Sequence, residues 1–115
     1  MNSFSTPTNI TSYPFNKIQI EYIKQDEFAN SNYPIVYIIY NDTSKVAYVG
    51  ESTNAINRMA NHLTHPEKSK LKFVYIISSL TFNKSATLDI ESYLIQYLTA
   101  SGDFKLLNGN GGVSS

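Results

Sequence analysis

The chain of 115 residues has no cysteine, and its nine basic residues balance its nine acidic ones, so its net charge is zero. The absence of cysteine excludes disulfides, thiolate metal sites and thiol nucleophiles together. It is also compatible with a cytoplasmic protein, and that is the location we expect. Zero net charge gives no general attraction to nucleic acid or to a membrane surface. No apolar run is long enough to span a bilayer, and the N-terminus lacks the basic and apolar regions of a signal peptide.

The chain has the composition of an ordinary globular domain. Hydrophobic residues make up 42% of it, and nine tyrosines with six phenylalanines supply enough bulk for packing. At this length the chain can form one domain with one modest core. Its pattern divides it into an N-terminal arm with an extra strand (residues 1–33), a main domain (residues 34–112) and a flexible tail (residues 113–115).

Four segments have the apolar pattern of β-strands. Residues 17–22 alternate between polar and apolar side chains, which predicts a strand with one solvated face. Residues 35–40 are continuously apolar or aromatic, which is typical of a strand buried on both faces. Residues 46–49 follow a polar turn and complete an antiparallel hairpin. A further strand is predicted to begin at Leu71 or Phe73 and to end at Ile77.

Two helices are expected beside these strands. The first lies between a cap at Ser52 or Thr53 and Pro66, with apolar residues at helical spacing. The second covers residues 85–99, is capped by its own first residue, and is followed by Gly102 as a C-terminal cap. The expected fold is therefore α+β: a small, mainly antiparallel three-stranded sheet, with a possible N-terminal extra strand, flanked by helices.

One acidic residue lies in the apolar stripe of the second helix. Leu88 precedes Glu91 by three residues, and Ile95 and Leu98 follow it at helical spacing, so these side chains share one face. A carboxylate in such a stripe loses solvation unless a cation accompanies it. That cation is a metal, an arginine or a lysine, and the helix pattern alone leaves all three open.

Two pairs of side chains give weaker signals. Arg58 and His62 are four residues apart and share a helix face, which on its own fits a solvated polar surface. Arg58 is the only arginine of the chain, which suggests bidentate recognition of phosphate or carboxylate. Tyr37 and Tyr48 lie on adjacent strands, where each taken singly is better explained by packing.

Gly50 and Asn108 also have ordinary explanations when each is taken alone. Gly50 is expected to end the second strand of the hairpin. It would satisfy a positive φ there, or let another backbone or a ligand phosphate come close. Asn108 lies between apolar residues and a glycine, which fits a simple turn.

The order of these residues along the chain resembles the GIY-YIG nuclease superfamily. Ile35-Val36-Tyr37 and Tyr48-Val49-Gly50 correspond to the two tripeptides of that name. Four further residues follow in register: Arg58, His62, Glu91 and Asn108. The resemblance covers about residues 34–112. Its departures are Ile35 for the first glycine and valine for both isoleucines, and they remove no polar group that the chemistry uses.

The amino-acid sequences of the two motifs are most similar to those of GIY-YIG domains at the N-terminus of larger proteins. Residues 33–40 and 48–54 carry that similarity, and those larger proteins also contain an ATPase or helicase module. The resemblance therefore implies DNA as the substrate and a fused or separate module of this kind as a partner.

The resemblance also implies a mechanism, the hydrolysis of DNA phosphodiester bonds with one divalent metal, Mg²⁺ (or Mn²⁺). Glu91 would bind the metal, and Tyr37 would act as general base with help from His62. A free tyrosine has a pKa near 10, so neighbours must lower the pKa of Tyr37 for this role. Arg58 would lower that pKa and would stabilise charge on the phosphate.

The remaining residues have supporting roles in the same resemblance. Tyr48 would hydrogen-bond the phosphate or the attacking water, and Asn108 would orient the site. A local excess of basic residues is also suited to contacts with DNA phosphates. The candidates are Lys68, Lys70, Lys72 and Lys84.

Two alternatives stay open at this point. One is a non-catalytic nucleic-acid-binding or regulatory module with the same fold, as part of a larger helicase or ATPase protein. The other is an unrelated α+β interaction domain whose tyrosines belong to the core and whose Glu91 pairs with a lysine.

Overall fold

The computed structural model describes residues 9–23, 34–79 and 81–108. The expected tail at residues 113–115 lies outside the described residues, as does the first part of the expected arm. Within the described ranges the chain forms five strands, three α-helices and one short 3₁₀ turn. In chain order they are β1 (Asn9–Pro14), α1 (Lys17–Ile23), β2 (Ile35–Asn41), β3 (Val46–Ser52), α2 (Ala55–Leu63), the 3₁₀ turn (Lys68–Lys70), β4 (Phe73–Ser78), α3 (Lys84–Ser101) and β5 (Lys105–Leu106).

The five strands form one mixed sheet in the order β1-β4-β2-β3-β5. All neighbouring pairs are antiparallel except β3 and β5, which are parallel. The expected α+β class, with a mainly antiparallel sheet flanked by helices, is confirmed. The N-terminal extra strand also exists, but it is formed by Asn9–Pro14 and pairs with β4 along its whole length.

The strand expected at residues 17–22 is wrong, because this segment forms α1. The Asn16 side chain accepts a hydrogen bond of 2.8 Å from the backbone N–H of Gln19, which caps the first turn of a helix. Ile20 is buried against the sheet, whereas Ile18 is 74% exposed. The apolar residues that alternate in sequence therefore do not share one face.

Asparagine also caps the other two helices, and the expected serine and threonine caps are wrong. Asn54, rather than Ser52 or Thr53, precedes α2, and its side chain accepts from the N–H three residues later. Asn83, rather than Ser85, does the same for α3 at a distance of 2.8 Å. Asparagine is among the best N-cap residues because its side-chain oxygen satisfies a free N–H of the first turn.

The end of α3 follows the expectation. Gly102 adopts a left-handed conformation with φ of 73°, and its N–H donates to the carbonyl of Leu98. This is the αL cap that glycine provides at low steric cost. It turns the chain back toward the sheet, where β5 joins the outer side of β3.

The sheet has a packed core on each face. Alternation along β2 and β3 places Tyr37 and Tyr48 on the face covered by α1 and α2, together with Met59. It places Val36 and Val49 on the opposite face, against Ile95 and its neighbours on α3. Helices from two different parts of the chain are thereby brought to the same pair of strands.

Among the described residues, no helix combines the length and the apolar composition that crossing a membrane requires.

Candidate active site

The second half of β3 is an open sheet edge that one side chain closes. Strand β5 pairs with β3 only at Val46 and Ala47. At Val49 the Asn108 side chain takes the place of a strand. The Val49 N–H donates to Asn108 Oδ1 at 2.9 Å, and Asn108 Nδ2 donates to the Val49 carbonyl at 2.6 Å. Asn108 is only 4% exposed, so it is a buried partner of the β3 backbone and not a simple turn residue.

Position 50 requires glycine because the Tyr37 side chain occupies the space that a Cβ atom there would fill. Gly50 does not end β3, which continues to Ser52. It lies opposite Tyr37 in the β2–β3 pairing. A Cβ atom at Gly50 would overlap the Cζ and hydroxyl oxygen of Tyr37 and lie 2.8 Å from its Cε1. The close approach expected at this glycine is therefore made by a side chain, and its φ is not positive.

Three aromatic rings form the centre of the site. The Tyr37 hydroxyl and His62 Nε2 share a hydrogen bond of 2.8 Å. The His62 ring centre lies 5.0 Å from that of Tyr48 and 5.6 Å from that of Tyr37. All three residues are at least 96% buried. Strands β2 and β3 and helix α2 each contribute one ring to this cluster.

Arg58 connects the rings to the acidic side of the site. Its guanidinium lies near the hydroxyls of Tyr37 and Tyr48 and favours their ionised forms, which lowers both pKa values against the larger effect of burial. It also interacts electrostatically with Glu91, which in turn interacts with both tyrosines. We call these five residues the site cluster: Tyr37, Tyr48, Arg58, His62 and Glu91. Asn108 joins the cluster only indirectly, through the β3 backbone between Tyr48 and Gly50.

The pKa of Tyr37 is raised, whereas the proposed mechanism led us to expect that it would be lowered. Burial raises it above the ordinary value, and the nearby Tyr48 raises it further. Arg58 lowers it, as expected, but does not outweigh the loss of solvation. The expectation of a net lowering is therefore wrong for the protein without substrate, and the Tyr37 hydroxyl is protonated at neutral pH.

His62 is held in its neutral form. Burial lowers its pKa to about 3, and the positive charges of Lys68 and Arg58 contribute in the same direction. A neutral imidazole has one nitrogen that accepts a proton, whereas imidazolium has none. The nitrogen that faces the Tyr37 hydroxyl can therefore act as an acceptor at neutral pH.

Glu91 is a half-buried carboxylate on α3. The expected apolar stripe around it is only partly correct, because Ile95 is buried but Leu88 is 44% exposed. Within the described residues, no hydrogen bond or ion pair reaches the Glu91 carboxylate. Its pKa is raised by burial first and by the negative charge of Glu51 second, while Lys84 and Arg58 lower it. Glu91 is therefore not part of a sealed ion pair with either cation.

A second carboxylate near Glu91 was not anticipated from the sequence. Glu51 accepts two hydrogen bonds from Lys84 Nζ, at 2.7 and 2.8 Å. The hydroxyl of Thr87, a fully buried residue of α3, lies 3.3 Å from the same carboxylate. This ion pair ties the start of α3 to the end of β3. Glu51 directly follows the second motif, but its spacing gave no sign of the partner.

The four candidate DNA-contacting lysines have different surroundings. Lys84 is the partner of Glu51. Lys68 Nζ lies over the Tyr48 ring, 3.9 Å from its centre, and the side chain is partly buried. Lys70 and Lys72 are exposed. Only Lys68 therefore lies against the site cluster as a cation with no carboxylate partner among the described residues.

The carboxylates present fit one kind of metal. In the described part of the chain, no three His, Asp or Glu side chains are grouped closely enough to enclose an ion. Zn²⁺ and Ca²⁺ sites usually need such a group. Mg²⁺ keeps several waters and needs only one or two carboxylates together with substrate phosphates. A partly exposed Glu91 without a protein partner fits that requirement.

Comparison with known proteins agrees with this geometry. Residues 33–103, more than half of the chain, match the family described as the GIY-YIG catalytic domain. The matched range contains all five residues of the site cluster, and Asn108 lies just beyond it. No curated protein and no solved structure was found to match the chain. The motifs, the α+β fold and the family match lead to one conclusion, that this chain belongs to the GIY-YIG family.

Proposed function

We propose that this domain is a metal-dependent endonuclease that hydrolyses phosphodiester bonds in DNA. The observation that carries the proposal is the convergence of Tyr37, Arg58, His62 and Glu91. These residues come from three separate elements, β2, α2 and α3, on two faces of the sheet, and packing alone does not require this combination. A proton acceptor, a phosphate-binding cation and a metal-binding carboxylate are the groups that phosphodiester hydrolysis needs.

Glu91 is the residue proposed to hold Mg²⁺ (or Mn²⁺). When bound, the metal polarises the scissile phosphate and stabilises the leaving oxygen. The half-buried setting of Glu91 restricts the number of competing waters, and Arg58 and Lys84 nearby favour its ionised form. Glu51 stays engaged with Lys84 and takes no direct part in this proposal.

Tyr37 and His62 together form the proposed general base. Tyr37 is protonated at rest, because burial raises its pKa, and it cannot act as a preformed tyrosinate. As the Tyr37 oxygen takes a proton from the attacking water, its own hydroxyl proton passes to His62 Nε2 across the 2.8 Å hydrogen bond. The water oxygen bonds to phosphorus, and the bond to the leaving oxygen breaks. Because the pKa of His62 is low, the imidazole then passes its proton to solvent, and the leaving oxygen takes up a proton from solvent.

The other predicted residues act on the phosphate or on the position of the groups around it. Arg58 lies near both tyrosine hydroxyls and would neutralise the charge that develops on the phosphate. Tyr48 would hydrogen-bond the phosphate or the water. Asn108 is a positioning residue that fixes the β3 backbone between Tyr48 and Gly50. Lys70 and Lys72 are exposed and lie outside the site cluster, and no role in cleavage is proposed for them.

The proposed function is tested by plasmid nicking with matched variants. Supercoiled DNA is incubated with Mg²⁺ and the wild type, Glu91→Ala or Tyr37→Phe. The controls are Asp89→Ala, an exposed carboxylate two residues from Glu91, and Tyr93→Phe, an exposed tyrosine of the same helix. We expect the first two substitutions to abolish nicking and the two controls to preserve it.

Two other outcomes would contradict the proposal. Nicking that persists in Glu91→Ala would show that this carboxylate is not essential for cleavage. DNA binding without cleavage, across supercoiled, linear and branched substrates, would favour a non-catalytic module with the same fold. An ATPase or helicase partner and a cytoplasmic location stay predictions from the sequence.

A further inference from the structure

We propose that Lys68 is a second phosphate-binding cation of the site, which contacts the substrate phosphate together with Arg58. This inference rests on the proposed function, and it separates Lys68 from the other three candidate lysines. The first argument is its position. Lys68 lies in the 3₁₀ turn after α2, and its ammonium is 3.9 Å from the centre of the buried Tyr48 ring. That ring packs 5.0 Å from His62, so the ammonium lies beside the groups proposed to react.

The second argument is the charge around Lys68. Arg58 is close enough to interact electrostatically with both Lys68 and Glu91. Within the described ranges no carboxylate forms an ion pair with Lys68. Two partly buried cations close to each other repel, and an anion bound between them would remove that repulsion. A phosphate carries the negative charge that this pair lacks.

The third argument is the contrast with nearby lysines. Lys84 is already neutralised by Glu51, at 2.7 Å. Lys70 belongs to the same 3₁₀ turn as Lys68 but is exposed, and the structure places no aromatic ring of the site beneath its ammonium among the described residues. Lys72 is exposed as well. The cation–π contact thus holds one lysine of the basic segment at the site cluster, at a defined position.

Two measurements test this assignment with Lys68→Met, Lys68→Arg and the matched control Lys70→Met. Methionine keeps an unbranched stem that can pack over Tyr48, and arginine keeps the charge. The first measurement is the salt dependence of binding to a short fluorescent duplex, without metal and in the Glu91→Gln background, so that no cleavage occurs. Each phosphate contact contributes about 0.9 to the slope of log affinity against log salt.

We expect Lys68→Met to reduce this slope by about one, Lys68→Arg to restore it, and Lys70→Met to change affinity only slightly. The second measurement is single-turnover cleavage with Mg²⁺. There we expect Lys68→Met to lose about 10²-fold in rate, the loss typical of removing one group that stabilises transition-state charge. Thermal unfolding of the variants serves as the control for a merely structural effect.

The inference is overturned if Lys68→Met and Lys70→Met give the same salt slope and the same cleavage rate. It is also overturned if Lys68→Met lowers the unfolding temperature and Lys68→Arg fails to restore the slope. If the proposed function is wrong, the result is different: the wild type binds DNA and does not cleave it. In that case the metal-free binding slope still decides whether Lys68 contacts phosphate. A wild type that does not bind DNA at all would contradict both.

Discussion

Replacement of Asn108 by alanine gives a prediction whose size follows from the geometry. The substitution removes two hydrogen bonds to Val49, of 2.9 and 2.6 Å, at a residue that is 4% exposed. A typical net hydrogen bond contributes about 1 kcal/mol. A buried polar group left without a partner costs about 1–3 kcal/mol, and this substitution leaves two. Allowing for partial entry of water at the sheet edge, we expect a loss of about 3 kcal/mol in the free energy of unfolding.

A loss of that size is a large part of the stability of a small domain, which is about 5–15 kcal/mol. The measurement is urea unfolding followed by circular dichroism, with equal m-values required for a valid comparison. The matched control is Asn61→Ala, an exposed asparagine of α2, for which we expect a change within about 0.5 kcal/mol. A loss below about 1 kcal/mol for Asn108→Ala would refute the claim that its side chain acts as a strand partner.

Two further predictions concern the ring cluster. Gly50→Ala should destabilise the domain by about 1–3 kcal/mol and abolish DNA nicking, because the new Cβ displaces the Tyr37 ring. The control is Gly102→Ala, where no atom lies within 4 Å of the added Cβ. We expect it to lower the free energy of unfolding by about 1 kcal/mol, because alanine is strained at the positive φ, and to preserve nicking. An equal loss of nicking in both variants would contradict the steric argument. His62, whose pKa is lowered to about 3, should stay neutral in imidazole NMR spectra down to about pH 4, and a midpoint near 6.5 would contradict its burial. Since the unfolded chain binds this proton and the folded one does not, stability should fall as pH drops from about 6.5 toward 3. His62→Gln should flatten that slope.

The central strands and the last helix were predictable because their apolar patterns are long and consistent. Residues 35–40, 46–49 and 73–77 are rich in valine, isoleucine and tyrosine, and all three became strands of one sheet. The family resemblance was equally visible, since a set of residues in register is specific where each residue alone is not. The family match over residues 33–103 bears it out.

The local sequence pattern gave the wrong secondary structure for a short segment that fits both the period of a strand and the period of a helix. Residues 17–22 alternate as a strand does, and the set also contains an i, i+4 pair that suits a helix. The decisive signal was Asn16, whose side chain caps α1, and the same residue type caps α2 and α3. Serine and threonine were the expected caps, although asparagine is at least as good an N-cap residue. The abundant asparagines of this chain thus have a structural use.

The site residues could be named from the sequence, but their electrostatics could not. The pKa of Tyr37 depends on how completely the fold buries it, and burial outweighs the effect of Arg58. The ion pair between Glu51 and Lys84 joins residues 33 apart, a pairing that no local spacing reveals. Lys68 was one of four equal candidates until the 3₁₀ turn placed it over Tyr48.

The arrangement of the two cores has a consequence for the order in which activity develops. Tyr37, Tyr48 and the α2 residues belong to one face of the sheet, whereas Glu91 is carried by α3 on the other. A growing chain that ends at Ser79 already contains both tyrosines, Arg58 and His62, but not Glu91, the carboxylate proposed to hold the metal. Under the proposed function, cleavage therefore requires that α3 has been synthesised and has packed on the second face of the sheet. An incomplete chain of this kind is expected to have no cleavage activity.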